Sequence, residues 1–117
     1  MLIQTTQEIL DYEGNPIPQG DKNLTVRDVV FLALNNWAEN EPMPTSQQKL
    51  DAFRITAALF ADVTAEVSIE DAAYIKERSG AISGALTHGR LCEILERAGQ
   101  LPAVESNGVG KVKELVE

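Results

Sequence analysis

The sequence predicts an α+β fold, mainly α, in which an N-terminal β-hairpin precedes a compact bundle of about four helices. Three observations support this. Thr25-Val26-Arg27-Asp28, Thr45-Ser46-Gln47-Gln48 and Ser68-Ile69-Glu70-Asp71 each place a hydroxyl residue three positions before an acid or amide. That spacing lets the hydroxyl accept from an orphan first-turn N–H while the acid or amide reaches back to the cap. Each signal opens a run with apolar residues at helical spacing. The first 23 residues have a different character, β-leaning and closed by turn chemistry.

Ile3, Thr5, Ile9, Leu10 and Tyr12 predict a strand reaching about Tyr12. Glu13-Gly14-Asn15-Pro16 is a turn, because Gly and Asn tolerate positive φ and Pro disfavours helix at the residue before it. A short return strand follows through Ile17, with Pro16 and Pro18 marking it as edge or irregular. A lone hairpin is marginally stable, so it must pack on the helices or pair with another chain. Gly20-Asp21-Lys22-Asn23 is expected to be a loop.

The first helix is predicted over 26–38, with Val26, Val29, Val30, Ala33, Leu34 and Trp37 on one face and Phe31 and Leu32 widening it. Such a helix belongs at the centre of the bundle. Asn40-Glu41-Pro42-Met43-Pro44 turns the chain. The second helix is predicted over 46–61, with Leu50, Phe53, Ala57 and Phe60 as its buried stripe and Ile55 and Leu59 to one side. The connector over 62–67 contains β-branched residues and suits a short extended piece. The third helix is predicted over 69–78, with Lys76 and Arg78 in its last turn and Gly80 as its C-terminal cap. Leu86, Leu91, Ile94, Leu95 and Ala98 define the fourth, over 85–98, before Gly99 and Pro102.

The 117 residues suffice for one domain. It is expected over 1–102, with the hairpin in 1–23 and the helices in 24–99, followed by a flexible tail over 103–117. One cysteine, Cys92, excludes an internal disulfide framework. The net charge of −8, with no run of bases, opposes binding to phosphate backbones. No apolar stretch approaches the length of a membrane span, and the N-terminus lacks the basic and apolar blocks of a signal peptide. It reads as a native start. A cytoplasmic protein with no membrane partner, no cofactor and no metal is the expectation.

The residues that bear chemistry form no constellation. His88 and Cys92, the only residues of their types, lie at i and i+4 on one helix face, which permits a Cys–His dyad, but no orienting acid is placed for it. Two such ligands cannot complete a zinc site. Ser79-Gly80-Ala81-Ile82-Ser83-Gly84 lacks the Gly-Lys-Ser/Thr ending of a nucleotide loop and reads as a turn between helices. Asp62, Glu66, Glu70 and Asp71 do not follow the ligand spacing of a calcium loop. Catalytic, cofactor and metal residues are therefore all expected to be absent. Trp37, near a helix end, is the candidate partner contact, with Phe31 earlier on the same helix, since aromatic residues carry much interface energy. The Gly-containing turn between the third and fourth helices raises a helix-turn-helix reading, in which His88, Arg90 and Arg97 would face DNA. Glu93 and Glu96 among them argue against it.

Asp11-Tyr12-Glu13-Gly14-Asn15-Pro16-Ile17, Leu24-Thr25-Val26-Arg27-Asp28-Val29, the stretch from Ser68 through Arg78, and Gly89-Arg90-Leu91-Cys92-Glu93-Ile94-Leu95-Glu96 form a recognisable layout. It resembles small, mostly uncharacterised phage and prophage proteins with a D-x-x-G-x-P-I hairpin, an LT-x-x-D-V helix start and a final helix ending in ILE. The resemblance covers about residues 9–96 and consists of a turn, caps and a core helix. It implies a genetic context and carries over no catalytic residue. Tail-assembly chaperones are one phage class with small, acidic, helical members.

The expected function is thus non-enzymatic: a phage or prophage assembly or regulatory factor that binds another protein. The alternatives are a nucleic-acid-binding regulator using the third and fourth helices, and an inhibitor that mimics DNA with its acids. Bases interspersed among those acids weaken the last. A homodimer is also expected, formed by pairing the hairpin edge near Ile3 to Leu10 with a second copy.

Overall fold

The computed structural model describes residues 1–100, so the tail expected over 103–117 lies outside the described residues. The fold is α+β and mainly α. In chain order come β1 (Leu2–Gln4), β2 (Pro18–Gln19), β3 (Lys22–Asn23), α1 (Val26–Asn35), α2 (Ser46–Ala61), β4 (Thr64–Glu66), α3 (Ile69–Ile82) and α4 (Ala85–Gln100). Helix α1 is central and packs against α2, α3 and α4. Its Val26, Val29, Val30 and Leu34 meet Leu59, Ile75, Leu91 and Leu95 in one core, which Ile3 and Ile9 complete from the N-terminal segment.

The start signals place three helices at their predicted first residues. At α2 the Thr45 hydroxyl accepts from the Gln48 N–H at 3.1 Å, and the Gln48 side chain accepts from the Thr45 N–H at 2.8 Å. At α3 the Ser68 hydroxyl accepts from the Asp71 N–H at 3.0 Å. At α1 the Asp28 carboxylate accepts both the Thr25 N–H, at 3.0 Å, and the Thr25 hydroxyl, at 2.8 Å.

The N-terminal segment differs from its expected course. The turn forms, with Asp11 Oδ1 accepting from the Glu13 and Asn15 N–H groups, each at 2.9 Å, and Gly14 at φ +86°. Around it, however, Leu10 and Pro16 make only an isolated bridge. The regular hairpin is β2 with β3, which turns at Gly20 with φ +65°. Lys22 and Asn23 therefore belong to a strand rather than a loop. Strand β1 does not run on to Tyr12. It pairs antiparallel with β4, Leu2 opposite Glu66 and Gln4 opposite Thr64, so the predicted extended connector supplies its partner. The Thr5 side chain fixes this register by donating to the Asp62 carbonyl at 2.7 Å. The edge expected to meet a second copy is thus occupied within the chain along Met1, Ile3 and Thr5. By the alternation of an antiparallel ladder, Leu2 and Gln4 direct their backbone groups to the other side.

Three helices depart from expectation. Helix α1 stops at Asn35, where the Asn35 and Asn36 amides donate back to the Phe31 and Leu32 carbonyls at 2.9 and 2.8 Å. These side chains satisfy carbonyls that a further turn would otherwise take. Phe31 and Leu32 are exposed rather than widening the core. Helix α3 continues through Gly80 to Ile82, with Ser83 as its cap. Gly80 lies against the His88 ring instead, which a Cβ there would touch at 3.4 Å. Lys76 and Arg78 are consequently not in the last turn, and Arg78 is buried. Helix α2 has the predicted limits but the opposite orientation: Ala52, Ile55 and Leu59 face the core, and Leu50, Phe53 and Phe60 face solvent. No helix among the described residues is long and apolar enough to cross a membrane.

Candidate functional site

The outer face of α2 is the most distinctive surface. Leu50, Phe53, Ala57 and Phe60 recur at i, i+3, i+7 and i+10, so they form one stripe along the helix. Leu50 is 60% exposed, Phe53 72% and Phe60 45%. The stripe continues onto α1 through Phe31, whose ring meets that of Phe60 edge to face with centroids 6.1 Å apart. The Arg27 guanidinium lies 5.0 Å from the Phe60 centroid. The three phenylalanine rings alone expose on the order of 300 Å² of apolar surface. With Leu50 and Ala57 added, the patch falls in the range that commonly marks an interaction site on a monomer.

Charge borders this face unevenly. On the α3 side, Arg54 makes a two-pronged pair with Asp71 at 2.8 and 3.0 Å and lies 3.5 Å from Asp51. The Arg54 guanidinium holds the Asp71 carboxyl below its usual range. On the α1 side, Lys49 and Arg27 form no ion pair among the described residues.

Trp37 lies just beyond α1 and is half-buried, with the Arg78 guanidinium stacked 3.4 Å from its centroid. Arg78 also donates to both carboxylate oxygens of Glu41, at 2.6 and 3.2 Å, and to the Asn36 carbonyl at 2.7 Å. These contacts hold the Glu41 carboxyl below its usual range. One face of the Trp37 ring is therefore committed inside the chain, while another part of the residue lines a shallow pocket with Leu32, Ile82 and Thr87.

His88 and Cys92 do come together, with Cys92 Sγ 3.6 Å from His88 Nε2. His88 Nδ1 is 3.1 Å from the hydroxyl of the fully buried Ser79. Among the described residues no carboxylate bonds the ring, and burial pushes the Cys92 thiol up, away from the thiolate that a nucleophile requires. Among the described residues no group of three or more His, Cys, Asp or Glu could hold a metal ion. Of the three side chains in the helix-turn-helix reading, His88 packs inward on Gly80 and Arg90 donates to the Leu10 and Asp11 carbonyls at 3.1 and 2.6 Å. Only Arg97 is exposed. A groove of about 320 Å³ runs between β1 and α4, lined by Leu2, Leu10, Ile94 and Arg97 among others.

Periodicity alone assigns the α2 stripe to the core. The available signal was that α2 carries two apolar stripes: Ala52-Ile55-Leu59 is also spaced at i, i+3 and i+7. A helix at the edge of a single core can bury only one of them. Comparison with known protein families, characterised proteins and solved structures finds no match to this chain.

Proposed function

We propose that this protein is a non-enzymatic factor that acts by binding another protein, and that the outer face of α2 is its contact surface. The exposure of Leu50, Phe53 and Phe60 along one helix, continuous with Phe31, is the observation that carries this reading. Stable monomeric surfaces seldom leave two phenylalanines and a leucine in one unbroken stripe without a use for them. A phage or prophage setting, in assembly or regulation, rests on the motif resemblance across residues 9–96. The nucleic-acid reading draws less support, because His88 and Arg90 are spent on internal contacts.

Affinity capture from lysogenic or infected cells tests the reading when wild type is compared with Phe53→Asp and with Met43→Asp, an exposed apolar site off α2. Wild type and Met43→Asp should retain a protein that Phe53→Asp loses, and binding should be reproduced with purified components. Equal recovery by all three would discard α2 as the contact surface.

A further inference from the structure

Building on α2 as the contact surface, we infer that its occupant is an amphipathic helix of a second protein, with apolar anchors on the Leu50–Phe53–Ala57–Phe60 stripe and carboxylates against Arg27 and Lys49. The chain carries a net charge of −8, yet the exposed residues of α2 include Lys49 and Arg54 and no acid. The one carboxylate of the helix, Asp51, is half-buried and turned to Arg54. The α1 flank of this apolar strip is therefore basic on an otherwise acidic molecule, whereas on the α3 flank Arg54 is matched by Asp71 and Asp51. Lys49 lies about three turns before Phe60, on the same side of the helix, and Arg27 sits over the Phe60 ring. Two cations that form no ion pair among the described residues thus mark the two ends of one flank.

Shape favours a helix as the guest. Ala57, exposed and small, lies along the stripe between Phe53 and Phe60, where a large side chain of a crossing helix can seat. Anchors at helical spacing on the guest would match the spacing of the stripe. A second copy of this chain fits less well. In an antiparallel two-fold pairing of α2 helices, Lys49 of one copy meets the Phe60 end of the other, where Arg27 lies. That sets like charges together along one flank of the apolar seam, which is unfavourable. A parallel pairing carries each cation to the partner's opposite flank, beside Arg54 and Asp51, and the dimer measurement below decides it.

The test uses two dye-labelled 16-residue peptides with leucines at i, i+3, i+7 and i+10. They are identical except for glutamates or lysines along the flanks. Fluorescence anisotropy with the full chain should show the glutamate peptide binding at least about ten-fold more tightly than the lysine peptide. The gap should narrow as salt shortens the screening length to well under about 10 Å. Phe53→Asp should abolish binding of both peptides, and the double variant Arg27→Glu with Lys49→Glu should reverse the preference. These substitutions leave the backbone bond from Arg27 to Thr5 intact. Equal affinities, or preference for the lysine peptide, would overturn the acidic guest while leaving the contact surface to the capture experiment. A concentration-dependent dimer that Phe53→Asp dissociates would assign the face to a second copy and likewise overturn the inference.

Discussion

The guanidinium of Arg78 stacks 3.4 Å from the centre of the Trp37 ring while its nitrogens grip both oxygens of Glu41. One 4% exposed side chain thereby ties the loop after α1 to the middle of α3. Arg78→Ala would leave the Glu41 carboxylate and the Asn36 carbonyl without this donor and strip one face of the indole. A loss of about 2–4 kcal/mol is expected in urea unfolding. Because Trp37 is the only tryptophan, its fluorescence should report the opened loop before global unfolding. An unchanged emission spectrum together with an unchanged midpoint would contradict this linkage.

The two faces of α2 should respond oppositely to truncation. Leu59→Ala, on the core side, should cost about 2–5 kcal/mol. Phe53→Ser, on the solvent side, should change stability by less than about 0.5 kcal/mol. Denaturant titrations of the two variants decide the orientation, and a Phe53 variant as damaged as the Leu59 variant would return that ring to the core.

Acid should weaken the fold through Asp71 and Asp28. The Arg54 pair holds the Asp71 carboxyl down. Burial alone would raise Asp28, but bonds from the Lys22 ammonium and from the Thr25 hydroxyl and N–H outweigh it, leaving this carboxyl lowered too. A carboxyl depressed in the folded state contributes fully above its unfolded value of about 3.9 and loses that contribution as pH falls through the folded value. Urea midpoints should be level near pH 6 and decline below about pH 4. Asp71→Asn should flatten the decline, at a cost near neutral pH of about 0.5–1 kcal/mol because Arg54 is half in water. A wild-type midpoint that stays level to pH 2 would refute the assignment.

Gly89 and Gly80 both sit inside helices yet should behave differently. A Cβ at Gly89 meets nothing within 4 Å, so Gly89→Ala should stabilise by about 0.5–1 kcal/mol through helix propensity. At Gly80 the His88 ring is already 3.4 Å from where a Cβ would lie. Gly80→Val, branched at that atom, should lose about 1 kcal/mol or more. Melting temperatures moving in the same direction for both would show that His88 imposes no constraint.

Cys92 should alkylate slowly. Its thiol is raised by burial, so iodoacetamide at pH 7 should modify it several-fold more slowly than a free thiol. Labelling faster than glutathione would revive the nucleophile reading.

What the sequence made legible was local. Thr25, Thr45 and Ser68 set helix starts because a cap is satisfied within four residues. The Gly14 turn was readable for the same reason. Helix ends are less so: Gly80 has the chemistry of a cap, but α3 runs past it to Ile82, and the Ser83 N–H donating to the Ser79 carbonyl closes the helix. The orientation of α2 was hidden because two apolar stripes share one helix, and periodicity cannot choose between them. The β1–β4 pairing was invisible in its register, although Ile3 and Thr5 already alternated and the 62–67 connector already looked extended. Arg78 read as a cation at a helix end, since nothing local linked it to Glu41 or Trp37.

The Thr5–Asp62 bond spans 57 positions of chain. Closing a loop of that length costs about 3–4 kcal/mol of chain entropy before any pairing energy is returned. During synthesis the first strand therefore leaves the ribosome without a partner and waits while α1 and α2 are made. Ile3 finds Ala65 only after the 64–66 stretch emerges. Through that interval the growing chain presents an unpaired apolar strand, and a translational pause placed between α2 and β4 would lengthen the period in which it is open to aggregation.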